Sequence, residues 1–397
     1  MGLKAFPKLR PPFAWKYQYY DRCRGPKITR STGVISSGGG RTTFVVVCGA
    51  DFDQSIPNAA TTCRLGWCRG FEQLGIPYLL VSVYDLSEKL PQLNNPICWI
   101  SGSDYVYLTA SNLKALRKCQ HVAWVGERFR NAGRYFESLG FPDFSYGEGL
   151  FKKILSSNPT AVFTISPESK FEFYEGWALA GAKIVSLPLA CDETLYRTST
   201  SSCPEFASIE VAFVGGYWGY KALQFDKYLK PWEKRLTVYG YSTWPYSGYQ
   251  GQISENKEPL LYNGARVCPV INEPHVNALG ININERVFKI LGSGGLAAVD
   301  TTRAYRDWFT PEELVIPDTE RDFHAFVSDA LSDPEKYQDL RERGAQAVRE
   351  RHTYRHRALS LLHVLGRGIV SVRESKPTAG GRLINLQYTK SDGNSPK

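Results

Sequence analysis

The sequence of 397 residues contains no apolar run that approaches the roughly 20 residues needed to span a bilayer. Its first residues are basic and rich in proline, including Lys4, Pro7, Lys8 and Arg10, and they lack the hydrophobic segment of a secretory signal. We therefore expect no transmembrane segment and a cytoplasmic location.

The sequence also lacks a Cys-x-x-Cys pair, and its nine cysteines are odd in number. Cys48 and Cys98 lie in apolar runs, and Cys63 and Cys68 fall on one predicted helix. This pattern excludes a disulfide framework and favours small buried side chains in a reducing compartment. Because no His or Cys lies nearby at ligand spacing, we expect no metal and no other cofactor.

No block of Lys or Arg residues and no RNP-like motif accompanies the formal net charge of +9. A modest positive excess spread along a chain indicates a solvated surface or an anionic small ligand. Nucleic acid stays open as an alternative partner.

The length and the 43% hydrophobic content are typical of a globular protein with two domains. The polar stretch 198–204 is the best candidate for a linker between them. Composition divides the chain into five predicted regions, which are an irregular basic arm (1–40), a first domain (41–197), a second domain (208–335), terminal helices (336–367) and a flexible tail (373–397).

Short apolar runs alternate with helical patterns through both domains, as in an α/β fold. The runs are continuous rather than alternating, which predicts strands buried on both faces of a parallel sheet. The predicted strands are 43–48, 78–83, 97–100, 121–125, 161–165 and 183–187 in the first half, and 211–214, 236–239, 267–271 and 296–299 in the second. We expect two doubly wound, Rossmann-like domains facing a cleft.

One candidate anion site lies at the start of the helix predicted after Asn284. Asn284 is a good N-cap, and a helix start presents free N–H groups and a partial positive charge, to which Arg286 and Lys289 add full charges. Gly294 and Gly295 end the helix. The alternative is an ordinary connection whose glycines only permit close packing.

A second candidate turn follows the strand 211–214, where Gly215 and Gly216 precede Tyr217 and Lys221. Such a turn brings backbone amides close to a phosphate. It is neither a Walker A loop nor a full dinucleotide fingerprint. Because the loops at the carboxyl ends of parallel strands share one edge, the two turns together suit a diphosphate.

Three further candidates follow predicted strands, namely the turn Tyr239-Gly240-Tyr241, His275 and Glu127. His275 is a candidate ligand contact, and Glu127 is a candidate base or acceptor-orienting carboxylate. The alternatives are loop packing for Tyr239, a structural role for His275, and a surface ion pair for Glu127. Asp51-Phe52-Asp53 follows only one strand, so we interpret it as an exposed loop rather than a cation site.

Several motifs of the second half occur together in an order known from one family. They are Val211-Ala212-Phe213-Val214-Gly215, Tyr239-Gly240, Leu261-Tyr262-Asn263, Asn284-Glu285-Arg286-Val287-Phe288-Lys289 with Gly294-Gly295, and His352-Thr353-Tyr354-Arg355-His356-Arg357. Through them, residues 209–365 resemble the CgeB-like (spore maturation protein type) glycosyltransferases of GT-B fold, and are similar to the C-terminal domains of glycosyltransferase family 4.

The resemblance implies transfer of a sugar from a nucleotide-diphosphate sugar to the hydroxyl of a glycan or other acceptor, without a metal ion. The expected donor site comprises Gly215, Gly216, Tyr217, Lys221, Tyr239, Asn284, Glu285, Arg286, Lys289, Gly294 and Gly295. Family members often carry Glu where this chain has Lys289, so Glu285 substitutes at the ribose or Lys289 binds phosphate. Two alternatives stay open, a non-catalytic nucleotide- or glycan-binding module and a transferase acting on modified DNA bases.

Overall fold

The computed structural model describes residues 43–49, 59–141, 143, 145–198, 204–366, 372–374 and 384–386. The predicted arm, the Asp51-Phe52-Asp53 loop and most of the predicted linker and tail lie outside these residues. Two short described segments near the C-terminus, Val372–Glu374 and Ile384–Leu386, pair as antiparallel strands.

The first domain is built on a parallel sheet of six strands. In chain order these are β1 (Phe44–Cys48), β2 (Tyr78–Ser82), β3 (Ile97–Ser101), β4 (Gln120–Trp124), β5 (Ala161–Thr164) and β6 (Ile184–Ser186). Their spatial order is β2-β1-β3-β4-β5-β6. All six predicted strands are confirmed, with ends that differ by at most one residue.

Both faces of this sheet are covered, as the continuous apolar runs predict. In β1, Phe44 and Val46 face one core while Val45 and Val47 face the other, and all four are at most 1% exposed. The helices of this domain are α1 (Ala59–Gln73), α2 (Leu86–Lys89), α3 (Ala110–Leu116), α4 (Ala132–Ser138), α5 (Glu148–Ser156) and α6 (Glu175–Leu179), and all but α4 contribute buried residues to these two cores. A 3-10 segment, Glu168–Tyr174, continues directly into α6.

The second domain repeats this architecture with four strands, β7 (Val211–Val214), β8 (Leu236–Tyr239), β9 (Cys268–Val270) and β10 (Ala297–Val299). β7 pairs with β8 and β9 with β10, all in parallel, and a bridge from Val211 to Val267 joins the two pairs. The resulting order, β8-β7-β9-β10, matches that of the first four strands of the first domain. The helices are α7 (Ala222–Tyr228), α8 (Glu258–Gly264), α9 (Pro274–Leu279), α10 (Glu285–Gly292) and α11 (Glu320–Ser332).

Two final helices, α12 (Gln338–Arg351) and α13 (Tyr354–Val364), confirm the helical end predicted for the second half. α13 returns to the first domain, where its Tyr354 ring lies 6.1 Å from the Trp67 ring on α1. A Cβ atom on Gly66 would come within 2.2 Å of the Tyr354 ring, so this glycine is needed for close approach. Among the described helices, none is long and apolar enough to cross a membrane.

Candidate functional site

A cavity of about 270 Å³ lies between the two domains. The second domain forms most of its wall, at the carboxyl edge of its sheet and the start of α10. The first domain contributes Ala59, Thr62, Ile165 and Leu189. The cleft predicted between facing domains is therefore present.

The turn after β7 forms one wall of this cavity through Gly215 and Gly216. Its backbone is held by two hydrogen bonds, since Gly215 N–H donates to the Tyr239 carbonyl at 2.8 Å and the Gly215 carbonyl accepts from Trp244 Nε1 at 2.8 Å. An added Cβ on Gly215 would lie 2.6 Å from Arg286 Nη2, and one on Gly216 would lie 2.7 Å from the Tyr241 ring. Glycine at these two positions lets the turn lie close to the side chains of Arg286 and Tyr241.

The start of α10 forms the facing wall, and Asn284 caps it as predicted. Its side chain accepts a hydrogen bond from the Arg286 backbone N–H at 3.0 Å. The helix ends at Gly292, and Gly294 adopts φ of +77°, which explains the glycine stop. The positive end of the helix dipole thus opens toward the cavity.

The guanidinium of Arg286 lies between the two walls and lines the cavity. Its Nε donates to the Val214 carbonyl at 2.6 Å, and the group lies over the Phe213 ring at 4.4 Å. Its Nη1 is buried without a hydrogen-bond partner in the described part of the chain. Because an unsatisfied buried donor costs about 1–3 kcal/mol, an anion accepting from Nη1 would remove a penalty that the protein otherwise carries.

Lys221 also lines the cavity but already has partners. Its Nζ, on a side chain 5% exposed, contacts Glu273 Oε1 at 3.0 Å and donates to the Ile271 carbonyl at 3.1 Å. Burial lowers the pKa of the Lys221 ammonium, and the charge of Glu273 opposes that effect. Lys221 thus connects the segment after β7 to the loop after β9.

A second charged cluster surrounds Lys289. Its Nζ lies 3.3 Å from Glu285 Oε2 and 5.1 Å from the centre of the Tyr196 ring. Glu258 accepts hydrogen bonds from the hydroxyls of Tyr196 at 2.9 Å and Tyr262 at 2.7 Å. Burial alone would lower the pKa of Lys289, but the carboxylates of Glu285 and Glu258 outweigh it and raise the pKa.

The structure brings most of the predicted donor residues together around one space. Those that line the cavity are Gly215, Gly216, Lys221, Asn284, Glu285, Arg286 and Lys289. The two predicted turns therefore meet, although they are about 70 residues apart in sequence. Donor binding by these residues stays a prediction.

Four predicted donor residues, Tyr217, Tyr239, Gly294 and Gly295, do not line this cavity, and their donor-binding roles stay predictions. The Tyr217 ring packs 5.2 Å from Trp244, and Tyr239 ends β8 without lining the cavity. Gly294 and Gly295 follow the far end of α10, roughly 12 Å from its start. A Cβ on Gly295 would lie 2.5 Å from the Tyr262 carbonyl, so that residue permits packing.

Glu127 and His275, the predicted catalytic candidates, do not line the cavity either. Glu127 is buried, accepts a hydrogen bond from the Tyr174 hydroxyl at 3.1 Å, and has a pKa raised by burial. His275 lies on α9, with its ring 6.5 Å from that of Phe136, and burial lowers its pKa to about 4. Neither side chain reaches the cavity, so the geometry gives no support to their predicted catalytic roles.

Several cavity residues were missed from the sequence. They are Thr62, Trp218, Gln252, Glu258, Tyr262, Glu273 and Asn282. Gly240 and Tyr241, which belong to the candidate turn after β8, also line the cavity. Glu258 and Thr62 lie on helices and carry no comparable signal. Within the described residues, no three His, Cys, Asp or Glu side chains are grouped to hold a metal ion.

The comparisons with known proteins point to one class. A glycosyl transferase-like family model matches residues 224–363. The structure is similar to a sucrose-phosphate synthase from Thermosynechococcus elongatus, at 12% identity and a TM-score of 0.57, covering 82% of this chain and 99% of that one. No curated protein sequence matches the chain.

Two further solved structures share the fold over the same extents, 82% of this chain and 99% of the other. They are HepE from Anabaena in complex with UDP-glucose, at 10% identity and a TM-score of 0.55, and T4 phage BGT in complex with UDP and Mn²⁺, at 9% identity and 0.53. These likenesses confirm the predicted GT-B fold. The family model confirms the predicted glycosyltransferase domain in the second half.

Proposed function

We propose that the protein transfers a sugar from a nucleotide-diphosphate sugar to a hydroxyl acceptor in the cleft between its domains. The second domain binds the donor and the first faces the acceptor. The observation that carries this proposal is the buried, unpartnered Arg286 Nη1 beside the Gly215 turn and the start of α10. That geometry places the Arg286 guanidinium and the positive end of the α10 dipole at one point, as a diphosphate requires.

In the proposed reaction, the acceptor oxygen attacks the anomeric carbon, the bond from that carbon to the phosphate oxygen breaks, and the diphosphate leaves with the electron pair. The α10 dipole and Arg286 stabilise this developing charge, which is electrostatic preorganisation. They perform the task that a metal ion performs elsewhere, so we propose a metal-independent reaction. Among the described residues that the first domain gives to the cavity, none is a carboxylate or histidine, so the base that takes the acceptor proton is unassigned.

We propose UDP-glucose as the first donor to test, because the HepE and T4 phage structures were determined with UDP-glucose or UDP. A ligand present at about 100 times its dissociation constant adds roughly 2.7 kcal/mol to the stability of the state that binds it. A thermal-shift panel should therefore show stabilisation by UDP-glucose but not by free glucose. A panel of uridine, adenosine and guanosine diphosphate sugars without any shift would contradict the proposal.

Release of UDP from UDP-glucose separates an enzyme from the alternative of a non-catalytic binding module. An enzyme hydrolyses its donor slowly with water as the acceptor, whereas a pure binding module releases no UDP.

The finer assignment to the CgeB-like glycosyltransferases is supported by the motifs between Val211 and Arg357. A cytoplasmic location is supported by the seven described cysteines, all free thiols.

A nucleic-acid acceptor is the second candidate function, because the chain has a net positive charge and a basic N-terminal arm. Residues 1–42 hold nine Lys and Arg against one acidic residue, Asp21. The T4 β-glucosyltransferase, which shares the fold, is described as a DNA-modifying enzyme. A DNA acceptor predicts binding that weakens steeply with salt, so a gel shift that is absent or insensitive to salt would exclude it.

A further inference from the structure

The carboxylate of Glu285 is the point where three helices from both domains meet. Glu285 is the first residue of the donor-side helix α10, next to Asn284 and Arg286. Its Oε2 accepts a hydrogen bond from Thr62 Oγ1 on α1 at 2.8 Å, and its Oε1 accepts one from the Tyr354 hydroxyl on α13 at 2.5 Å. The residue is 5% exposed.

The same two oxygens have further partners. Cys63 on α1 donates its thiol to Oε1 at 3.5 Å, and the Lys289 ammonium lies 3.3 Å from Oε2. A carboxylate has about four acceptor sites, so this set leaves no capacity for another donor. A ribose or sugar hydroxyl would have to displace one of these contacts.

The hydrogen-bond donors that α1 and α13 present to Glu285 are themselves fixed. Tyr354 is 2% exposed, its backbone N–H donates to the Cys191 carbonyl at 3.0 Å, and its ring lies against Gly66 on α1. α1 and α13 therefore present Thr62 and Tyr354 as one rigid surface. The Glu285 carboxylate attaches the start of α10 to that surface.

We infer that Glu285 is a positioning residue, which sets the start of α10, and with it Arg286, against the first domain rather than binding the donor. The inference rests on the proposed function, because it concerns the site where the donor diphosphate would lie. Donor affinity depends on the second domain, where Arg286 is held by Val214 and Phe213. The rate depends in addition on how the first domain faces the donor, since the nucleophile approaches from that side.

Tyr354→Phe tests this inference most cleanly, because it removes a donor to Glu285 at a residue that does not line the cavity. We expect its dissociation constant for UDP-glucose to stay within twofold of wild type, and its kcat for UDP release, with water as acceptor, to fall at least fivefold. Thr62→Val removes a second donor to Glu285, but Thr62 lines the cavity, so for this variant only the fall in kcat is expected. Tyr337→Phe is the matched control, since its hydroxyl contacts Asp329 away from the cleft, and both quantities should stay within twofold.

Two results would overturn the inference. One is unchanged kcat in both Tyr354→Phe and Thr62→Val. The other is a Glu285→Gln protein that binds UDP-glucose at least tenfold more weakly while Tyr354→Phe binds it normally, since that pattern identifies Glu285 as a direct ligand. A wild-type protein that neither binds nor hydrolyses nucleotide sugars would instead overturn the proposed function.

A double-mutant cycle, measured as thermal unfolding midpoints, tests the contact between Glu285 and Tyr354 without any substrate. If Glu285 and Tyr354 act through one shared contact, the protein carrying both Glu285→Gln and Tyr354→Phe should unfold no earlier than the less stable single variant. Fully additive shifts would show that the two residues are independent, and would overturn the inference whether or not the protein is active.

Discussion

The replacement Arg286→Ala is the perturbation that bears most directly on the proposed donor site. The guanidinium is fixed by its bond to the Val214 carbonyl at 2.6 Å and by the Phe213 ring, and its Nη1 is buried without a hydrogen-bond partner on a residue that lines the cavity. In the complex, Nη1 would donate to a phosphate oxygen. A hydrogen bond between charged groups contributes about 1.5–3 kcal/mol.

That energy converts to a loss of about 10- to 150-fold in kcat/KM for UDP-glucose, at 1.36 kcal/mol for each factor of ten. The assay is UDP release measured over a range of UDP-glucose concentrations. Arg286→Lys keeps the charge but not the planar fork, so it should lie between wild type and the alanine variant. Arg306→Ala, whose side chain pairs with Asp318 at the surface, is the control and should match wild type.

We expect Arg286→Ala to fold, because the replacement removes an unsatisfied buried donor as well as the contacts to Val214 and Phe213, and the two effects on stability oppose each other. A circular dichroism melt establishes this for each variant before kinetics are compared. An Arg286→Ala protein that is folded and has wild-type kcat/KM would refute the reasoning, since the residue would then have no part in binding or in stabilising the leaving group.

Three other changes are predicted with their measurements. Gly215→Ala places a Cβ 2.6 Å from the Arg286 guanidinium and should weaken UDP-glucose binding about tenfold by calorimetry, whereas Gly219→Ala, with nothing within 4 Å, should not. Gly66→Ala drives a Cβ to within 2.2 Å of the ring on α13 and should lower the free energy of unfolding in urea by about 1–3 kcal/mol. Burial lowers the pKa of His121 to about 4, so below about pH 6.5 the unfolded chain binds the proton more tightly. Stability should therefore fall by about 3 kcal/mol between pH 6.5 and pH 4 from this group alone, and His121→Asn should show a shallower fall in pH-dependent unfolding; equal slopes would contradict this origin.

Much of the fold could be predicted from the sequence because its strands are strongly marked. Continuous runs such as Val45-Val46-Val47 identify strands that are covered on both faces, and chain order then places their loops at one edge. The cap at Asn284 could be predicted because capping is local, with the accepting oxygen two residues from its donor. The meeting of the two glycine-containing turns follows from these two facts.

The partners of the charged side chains could not be predicted, because they depend on contacts between distant segments. Glu285 bonds to Thr62 and Tyr354, which lie 223 and 69 positions away. Lys221 pairs with Glu273, 52 positions away. Glycine is equally ambiguous in sequence, since Gly215 lines the cavity while Gly295 only permits packing against Tyr262.

The central claim is that the turn after β7 and the start of α10 together hold a diphosphate. Calorimetric titration of the wild-type protein with nucleoside diphosphates and the matching monophosphates, in the uridine, adenosine and guanosine series, tests it most directly. We expect the diphosphate of the preferred base to bind at least tenfold more tightly than its monophosphate, and Arg286→Ala to abolish that difference. Equal affinity for the two nucleotides in the wild-type protein would contradict the account.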